Sequence, residues 1–362
     1  LSVLVNEIIL LDNEILPQYE IDKITKKYKN REVTFDELQD LTSELTALYR
    51  ERGYVTSRIY LPPQKINNGL LTLQSSEGII SPVTLEEGKY FKARSIFPRL
   101  QTDEGQKLNL DKIKKDLSRL NENLDMGLQV KLKPGDEPGS SEVNFKADDR
   151  FPVHFAPYVD NLGRDLIGNE RYGFALTHNN LLGFGDRNIT NLHFTEGSLG
   201  VSNSYEIPVG KYGTKLGFNY AHSRLKLGKQ FENAGIVGFA TVYTPYVSQE
   251  LFRGKHLQAS ADVAFDFKNL GNNFGSQGGY NIYGGKNGLK LTRDRLRVLR
   301  MGLNLDQYDK YGRTFMRHEI AQGLDILDAS SKYRALNSRQ GSGDSFFRYT
   351  AYGTRITQLP FG

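Results

Sequence analysis

The stretch HLQASADVAFDF, residues 256–267, constrains the chain more than any other, because it alternates almost without error. Successive side chains of an extended strand point to opposite sides. Leu257, Ala259, Ala261, Val263, Phe265 and Phe267 therefore share one face, and Gln258, Ser260, Asp262 and Asp266 share the other, with Ala264 the apolar exception. A strand with two such faces separates two media. Its apolar side meets either a protein core or lipid.

The same period governs most of the chain after residue 150. Tyr172, Phe174 and Leu176 alternate with Arg171, Gly173 and Ala175, and Leu216, Phe218 and Tyr220 with Lys215, Gly217 and Asn219. Leu299, Met301, Leu303 and Leu305 alternate with Arg300, Gly302 and Asn304. About ten strands are expected, starting near 153, 170, 187, 200, 213, 236, 256, 295, 314 and 346, most of them long enough for the ~9–11 residues of a tilted membrane strand. If the first strand rises from the preceding residues, the connections at 223–235, 268–293 and 326–344 fall on the far side and are long. Those at 179–187, 208–212 and 306–312 fall on the near side and are short, with 246–255 a partial exception. Long loops on one rim and short turns on the other suit an outer-membrane barrel better than a soluble sandwich.

Composition agrees without deciding. The chain has 362 residues, enough for two or three domains, and its hydrophobic fraction is 38% with mean hydropathy −0.50. No apolar run approaches the ~18–20 residues of a spanning helix, whereas a barrel spreads its apolar residues along every second position. Cysteine is absent, which removes disulfide scaffolds and thiolate metal sites and suits an oxidising compartment. The chain opens at LSVLVNEIILL, without the pattern of a secretory signal, so any signal peptide is expected to be already missing. The net charge of +5 resides partly in clusters at 22–31 and 112–119. Both clusters carry apolar partners at helical spacing and read as solvated helix faces, so nucleic acid is not expected as a partner.

The first 150 residues follow a different rule. Residues 3–11 read as a strand, and Leu16, Ile21, Ile24 and Tyr28 follow at helical spacing. Thr34 stands three residues before Glu37, a capping-box signature; Phe35, Leu38, Leu41, Leu45 and Leu48 then mark one helical face, and Gly53 stops it. The strands YVTSRIYL and GLLTLQSS complete the unit. The order returns with IISPVTLEEG, the short helix of YFKARSIFPRL, a helix facing inward through Leu110, Ile113, Leu117 and Leu120, and two strands around PGDEPG. Residues 1–78 and 79–149 thus form two α+β modules, and 150–362 a strand domain. Repeated modules with a free sheet edge suit peptide binding by strand addition.

The join at 151–186, FPVHFAPYVDNLGRDLIGNERYGFALTHNNLLGFGD, carries D-N-x-G at Asp160, Asn161 and Gly163, G-x-x-R at Gly168 and Arg171, and N-x-L-G-x-G-D at Asn180, Leu182, Gly183, Gly185 and Asp186. It resembles the first barrel hairpin of the two-partner secretion outer-membrane transporters, the TpsB haemolysin and adhesin exporters. LYRERGYVTSRIYLPPQKINNGLLTLQSSEG, with its G-Y, P-P-Q and E-G, and LSRLNENLDMGLQVKLKPGDEPGSSEVNFKAD are similar to the ends of that family's two POTRA (polypeptide-transport-associated) modules. The resemblance implies a periplasmic POTRA pair of βααββ order that captures an unfolded exoprotein, and a barrel of roughly sixteen strands that threads it across the outer membrane. It implies a TpsA-like client and contact with outer-membrane lipid and lipopolysaccharide; the transporter is expected to be monomeric. The family's V-R-G-[FY] motif is absent, and the expectation is a barrel piece lacking its last strands.

Candidate residues follow from phase. Lys215, Asn219, Gln258, Ser260, Asp262, Asp266, Arg300 and Asn304 are expected to line the pore. Leu45, Tyr49, Val55, Ile59 and Leu61, on the edge and helix groove of the first module, are expected to bind client. The motif positions around Asp160 and Asn180 are expected to be structural, with Asn161 and Gly163 supplying positive φ in a turn. No G-x-S-x-G elbow occurs, His318 and Glu319 lack the second histidine of a zinc helix, and the glycine-rich loop with Lys286 lacks P-loop spacing. No enzyme, cofactor or metal is expected. An insertase for other barrels and a passive porin or receptor are the alternatives.

Overall fold

The computed structural model describes residues 2–66, 68–274, 289–339, 341, 343 and 345–359. Its contacts separate two units, Leu1–Lys89 with Leu100–Asp149, and Tyr90–Arg99 with Arg150–Gly362.

In the first unit the strand expected over 3–11 is broken in two. β1 (Ser2–Val5) and β2 (Glu7–Leu11) precede α1 (Gln18–Thr25), β3 (Arg31–Thr34), α2 (Phe35–Glu51), β4 (Arg58–Tyr60) and β5 (Leu70–Ser76). β1 pairs antiparallel with β3, which the sequence reading had not anticipated, whereas β2 pairs parallel with β5 in a sheet of order β2-β5-β4. The capping box forms: the Thr34 hydroxyl accepts from the Glu37 N–H at 3.3 Å, and the Glu37 carboxylate accepts from the Thr34 N–H at 2.8 Å. Leu38, Leu41 and Leu45 are buried as expected, but the stripe continues to Tyr49, one i+4 step from Leu45, while Leu48 is only partly buried and Phe35 lies exposed at the helix start.

A second, shorter copy follows: β6 (Ile79–Glu86), α3 (Ala93–Ile96) running into a 3-10 turn (Phe97–Arg99), α4 (Leu110–Leu120), β7 (Leu128–Pro134) and β8 (Ser140–Ala147). Its sheet order is β6-β8-β7, again with one parallel pair. Asn109 caps α4 by accepting from the Asp111 and Lys112 N–H groups at 3.0 and 3.1 Å. The same segment ties the copies together, with Leu108 N–H donating to Gly78 O and Leu110 N–H to Gly53 O, both at 2.8 Å. The family-like motifs of the first copy are structural: the Gln64 amide pairs both backbone groups of Thr72, and Gly78 leaves no room for a Cβ beside the Thr56 hydroxyl.

The second unit carries ten strands: β9 (Val153–Asp160), β10 (Arg171–His178), β11 (Arg187–Phe194), β12 (Ser198–Val209), β13 (Thr214–Lys226), β14 (Val237–Arg253), β15 (Leu257–Phe274), β16 (Leu289–Asp309), β17 (Gly312–Gly323) and β18 (Phe347–Thr357). Each pairs antiparallel with the next in one ten-stranded sheet. Most begin within three residues of the expected positions, but β15 and β16 reach deep into the connection expected at 268–293. Residues 275–288, including Lys286, lie outside the described residues. The exception at 246–255 disappears, because β14 runs on to Arg253 through a bulge at Glu250/Phe252 and residues 254–256 alone join it to β15.

The two faces of this sheet are inverted relative to a soluble protein. On β15, Val263 is 49% exposed while Ala264 and Asp266 are 4% and 1% exposed. Across from them Met301 is 51% exposed and Val247 44%. The apolar face looks outward and the polar face is shielded. β9 and β18 stand at the two edges of the ten-stranded sheet among the described residues.

Candidate functional site

The shielded face of β14 to β17 is a ladder of charges. The Arg300 guanidinium bridges Asp266 at 2.9–3.0 Å and Glu319 at 3.2 Å; Arg317 bridges Asp262 at 2.8 and 3.1 Å and Glu319 at 3.0 Å. Lys268 adds a contact of 2.9 Å to Asp266, and the Thr244 hydroxyl donates to the same carboxylate at 2.8 Å. Asn304 joins the ladder, donating to Asp262 at 3.0 Å and accepting from Arg317 at 2.7 Å. Register requires this: Asp262 lies opposite Gly302, which lies opposite Glu319. A Cβ on Gly302 would come within 2.7 Å of both Arg317 and Asp262, so the glycine leaves the space in which the guanidinium sits.

The structure thus gathers Asp262, Asp266, Arg300 and Asn304 into one network. Ser260 adjoins it, 3.4 Å from the Asn304 amide, and Asn219 lies opposite Thr244 in the row of Asp266. Lys215 lies farther along the same face, 3.2 Å from Glu206, and Gln258 sits near the strand end opposite Asp306. Arg317, Glu319, Lys268 and Thr244 were missed, although Arg317 and Glu319 hold the polar phase of β17. The acids and bases of this face pair with one another, so no single charge dominates it. Among the described residues, no cluster of three acidic or histidine side chains could hold a metal.

The motifs of the first hairpin form two folded ends. At the far end Asp160 accepts from Arg171 at 2.8–3.2 Å and from the Leu162 N–H at 2.9 Å, closing the loop between β9 and β10. The positive φ expected at Asn161 and Gly163 is found instead at Gly168, at +99°. Gly163 is needed for closeness: its Cβ would lie 2.1 Å from the Gly168 carbonyl oxygen. Asn161 is simply exposed. At the near end the fully buried Asp186 carboxylate gathers the N–H groups of Leu182 and Phe184 at 3.0–3.2 Å, with Gly183 and Gly185 at φ +82° and +73°. This turn seats the segment around α3. Arg94 Nε donates to Gly183 O at 3.0 Å and stacks over Phe184, while the Asn180 amide donates to Tyr90 O at 2.9 Å.

The client-binding candidates are corrected by burial. Leu45 and Tyr49 are fully buried and Ile59 is 5% exposed, all within the core of the first module, so no client reaches them while it stays folded. The Tyr49 hydroxyl is occupied by Asn13, Ser75 and Glu77. β4 is an edge strand, yet the Ile59 N–H already donates to the Thr46 hydroxyl at 3.0 Å, which blunts that edge for pairing. Val55, 40% exposed, and the partly buried Leu61 remain at the surface.

Comparison with known proteins places this geometry. The family model for POTRA domains of ShlB type matches residues 3–78, and that for the haemolysin secretion/activation proteins ShlB/FhaC/HecB matches residues 139–359, more than half the chain. The outer membrane transporter CdiB of Dickeya dadantii is 26% identical over 218 residues, 59% of this chain and 38% of that protein. The heme/hemopexin transporter protein HuxB of Haemophilus influenzae is 24% identical over 268 residues, 72% of this chain and 46% of its own. The chain therefore spans less than half the length of these curated relatives. The solved structure of CdiB from Escherichia coli shares the fold, with a TM-score of 0.79 at 21% identity over 98% of this chain and 65% of that one. CdiB from Acinetobacter baumannii follows with a TM-score of 0.66 at 18% identity, over 89% and 62%. The chain belongs to the ShlB/FhaC/HecB family of haemolysin secretion/activation proteins, with a ShlB-type POTRA domain ahead of the ten-stranded sheet.

Proposed function

We propose that the chain supplies the periplasmic receptor and part of the pore wall of a translocator that passes an unfolded, TpsA-like exoprotein across the outer membrane. The observation that carries this reading is the inversion of faces in the ten-stranded sheet, with exposed Val263 and Met301 behind a shielded ladder of Asp262, Asp266, Arg300, Arg317 and Glu319. Export needs no bond chemistry. It needs a wall without open edges, a polar interior, and a receptor that keeps the client extended. The residues proposed for pore lining supply paired charges that solvate a passing chain without holding it.

Capture by the first module rests on its surface. With Leu45, Tyr49 and Ile59 in the core, the contacts proposed for the client are Val55, Leu61 and the neighbouring Tyr60, 43% exposed on β4. Deleting residues 1–149 from the full-length transporter tests the assignment. Loss of client secretion with a pore that still conducts supports it. Unchanged secretion overturns it, and a general loss of other barrels would point to an insertase.

A further inference from the structure

The outward face of β16 changes character at one level. Leu305, Leu303, Met301 and Leu299 are followed on the same face by Arg297, Arg295 and Arg293. Register extends the change across the neighbouring strands. Arg297 stands in a row with Phe267 and Tyr243; Arg295 with Asn269, Thr241 and His222; and Arg293 with Gly271, Phe239 and Arg224. An aromatic row thus gives way within one step to polar and basic rows. This happens at the end of the strands remote from residue 153, where the chain enters the sheet.

The guanidiniums are held but not neutralised. Arg293 lies 4.9 Å over the Phe239 ring and donates to Asn272 O, Thr292 O and Asn273 Oδ1. Arg297, 7% exposed, donates to Leu327 O, Lys268 O, Leu296 O and Asn269 Oδ1. Among the described residues no carboxylate pairs with either one. Arg295 alone is paired, with Asp328, which also approaches Arg334 at 3.6 Å. The three arginines, Phe239, Asn269 and two carboxylates, Asp294 and Asp328, border a cavity of about 460 Å³, which leaves one positive charge in excess; Asp294 accepts from the Ser338 N–H at 3.0 Å. Buried positive charge without a counter-charge is costly unless an anion completes it, and guanidinium forks match phosphate oxygens two at a time.

We propose that this cavity binds the phosphorylated glucosamine headgroup of lipid A, the anchor of lipopolysaccharide in the outer leaflet, while the apolar rows below take its acyl chains. The assignment rests on the outer-membrane reading, which sets the remote strand ends in that leaflet. It fixes the barrel's depth and rotation against one lipid.

The test uses the full-length protein in detergent and in vesicles, with native mass spectrometry of three probes: bisphosphorylated lipid A, lipid A stripped of both phosphates, and inorganic phosphate. Bisphosphorylated lipid A is expected to bind at least about tenfold more tightly than the stripped form, since each charge-assisted bond contributes on that scale. R293Q is expected to weaken it several-fold and R293Q/R297Q to erase the preference. D328N, which removes the one of the two lining carboxylates that pairs with Arg295, is expected to tighten it. Equal binding of the two lipids by a protein that enters vesicles, or D328N weakening the complex, overturns the site alone. Displacement of lipid A by millimolar inorganic phosphate overturns the lipid as its ligand. A full-length protein that stays out of vesicles overturns the outer-membrane reading as well.

Discussion

Val263→Arg places a charge on the side of β15 that the account assigns to hydrocarbon. The apolar face of this strand runs from Leu257 to Phe267, ten residue steps. At about 3.4 Å per step and a tilt of about 40°, it covers about 26 Å of membrane normal, close to the ~25 Å apolar band of outer-membrane barrels. Val263 lies six steps from one end and four from the other, about 16 and 10 Å deep by the same geometry. An arginine near the midplane of such a band destabilises by about 2–4 kcal/mol. At a half-exposed position in water the same change stays within about 0.5 kcal/mol. Urea titration of the full-length protein in phospholipid vesicles reads the difference through the heat-modifiable gel shift of folded barrels. Gln258→Arg, on the opposite face, serves as control and is expected to move the midpoint little. A Val263→Arg protein with the parent's midpoint would refute the reasoning.

Further outcomes follow from the networks. Arg317→Ala strips partners from Asp262, Asn304 and Glu319. It should cost about 2–4 kcal/mol in the same titration, below the full loss for a buried pair because the side chain is 30% exposed, and single-channel recordings should shift toward cation selectivity. Asp186→Ala leaves the Leu182 and Phe184 N–H groups without their acceptor and should destabilise by about 2 kcal/mol or more, whereas Asp186→Asn keeps one oxygen and should cost about half of that. Burial alone would raise the Glu77 pKa, but Lys107 at 2.9 Å, the Glu14 backbone N–H and the Tyr49 hydroxyl hold it below the ordinary glutamate value. Its stabilising contribution is therefore complete above the unfolded-state value near 4.5 and fades as pH falls through the lower folded value. Hydrogen exchange over residues 1–149 should lose protection in that acid window, and Glu77→Gln should remove the Glu77 part of the slope.

Much of the strand domain was legible because a sheet with one apolar and one polar face carries a sharp period of two, as at Val263 beside Asp262. The ends of β15 and β16 were not legible. Beyond the apolar band, Asn269, Asn272, Arg293 and Arg295 stand on a ladder that continues after its two faces have lost their contrast. β3 was too short for any period, and its pairing with β1 is decided by the fold. Phase placed Asp262, Asp266, Arg300 and Asn304 on one face, but it could not tell that Arg317 and Glu319 would complete their charges across β17. In the first module an apolar residue at i+4 on a helix looks the same whether it faces a groove or a core, so Leu45 and Tyr49 were assigned outward when they point in.

Residues 1–362 contain no cysteine, so with any cysteine elsewhere in the full-length protein replaced, single cysteines can be placed one at a time from 257 to 267 and spin-labelled without background. Collision rates with oxygen, which concentrates in bilayers, and with a water-soluble nickel chelate then test the central claim in reconstituted full-length protein. Odd positions from Leu257 to Phe267 should favour oxygen and even positions the chelate or neither, in strict alternation. Odd positions shielded from both would mean that the apolar face packs on protein, and the transporter account would fail.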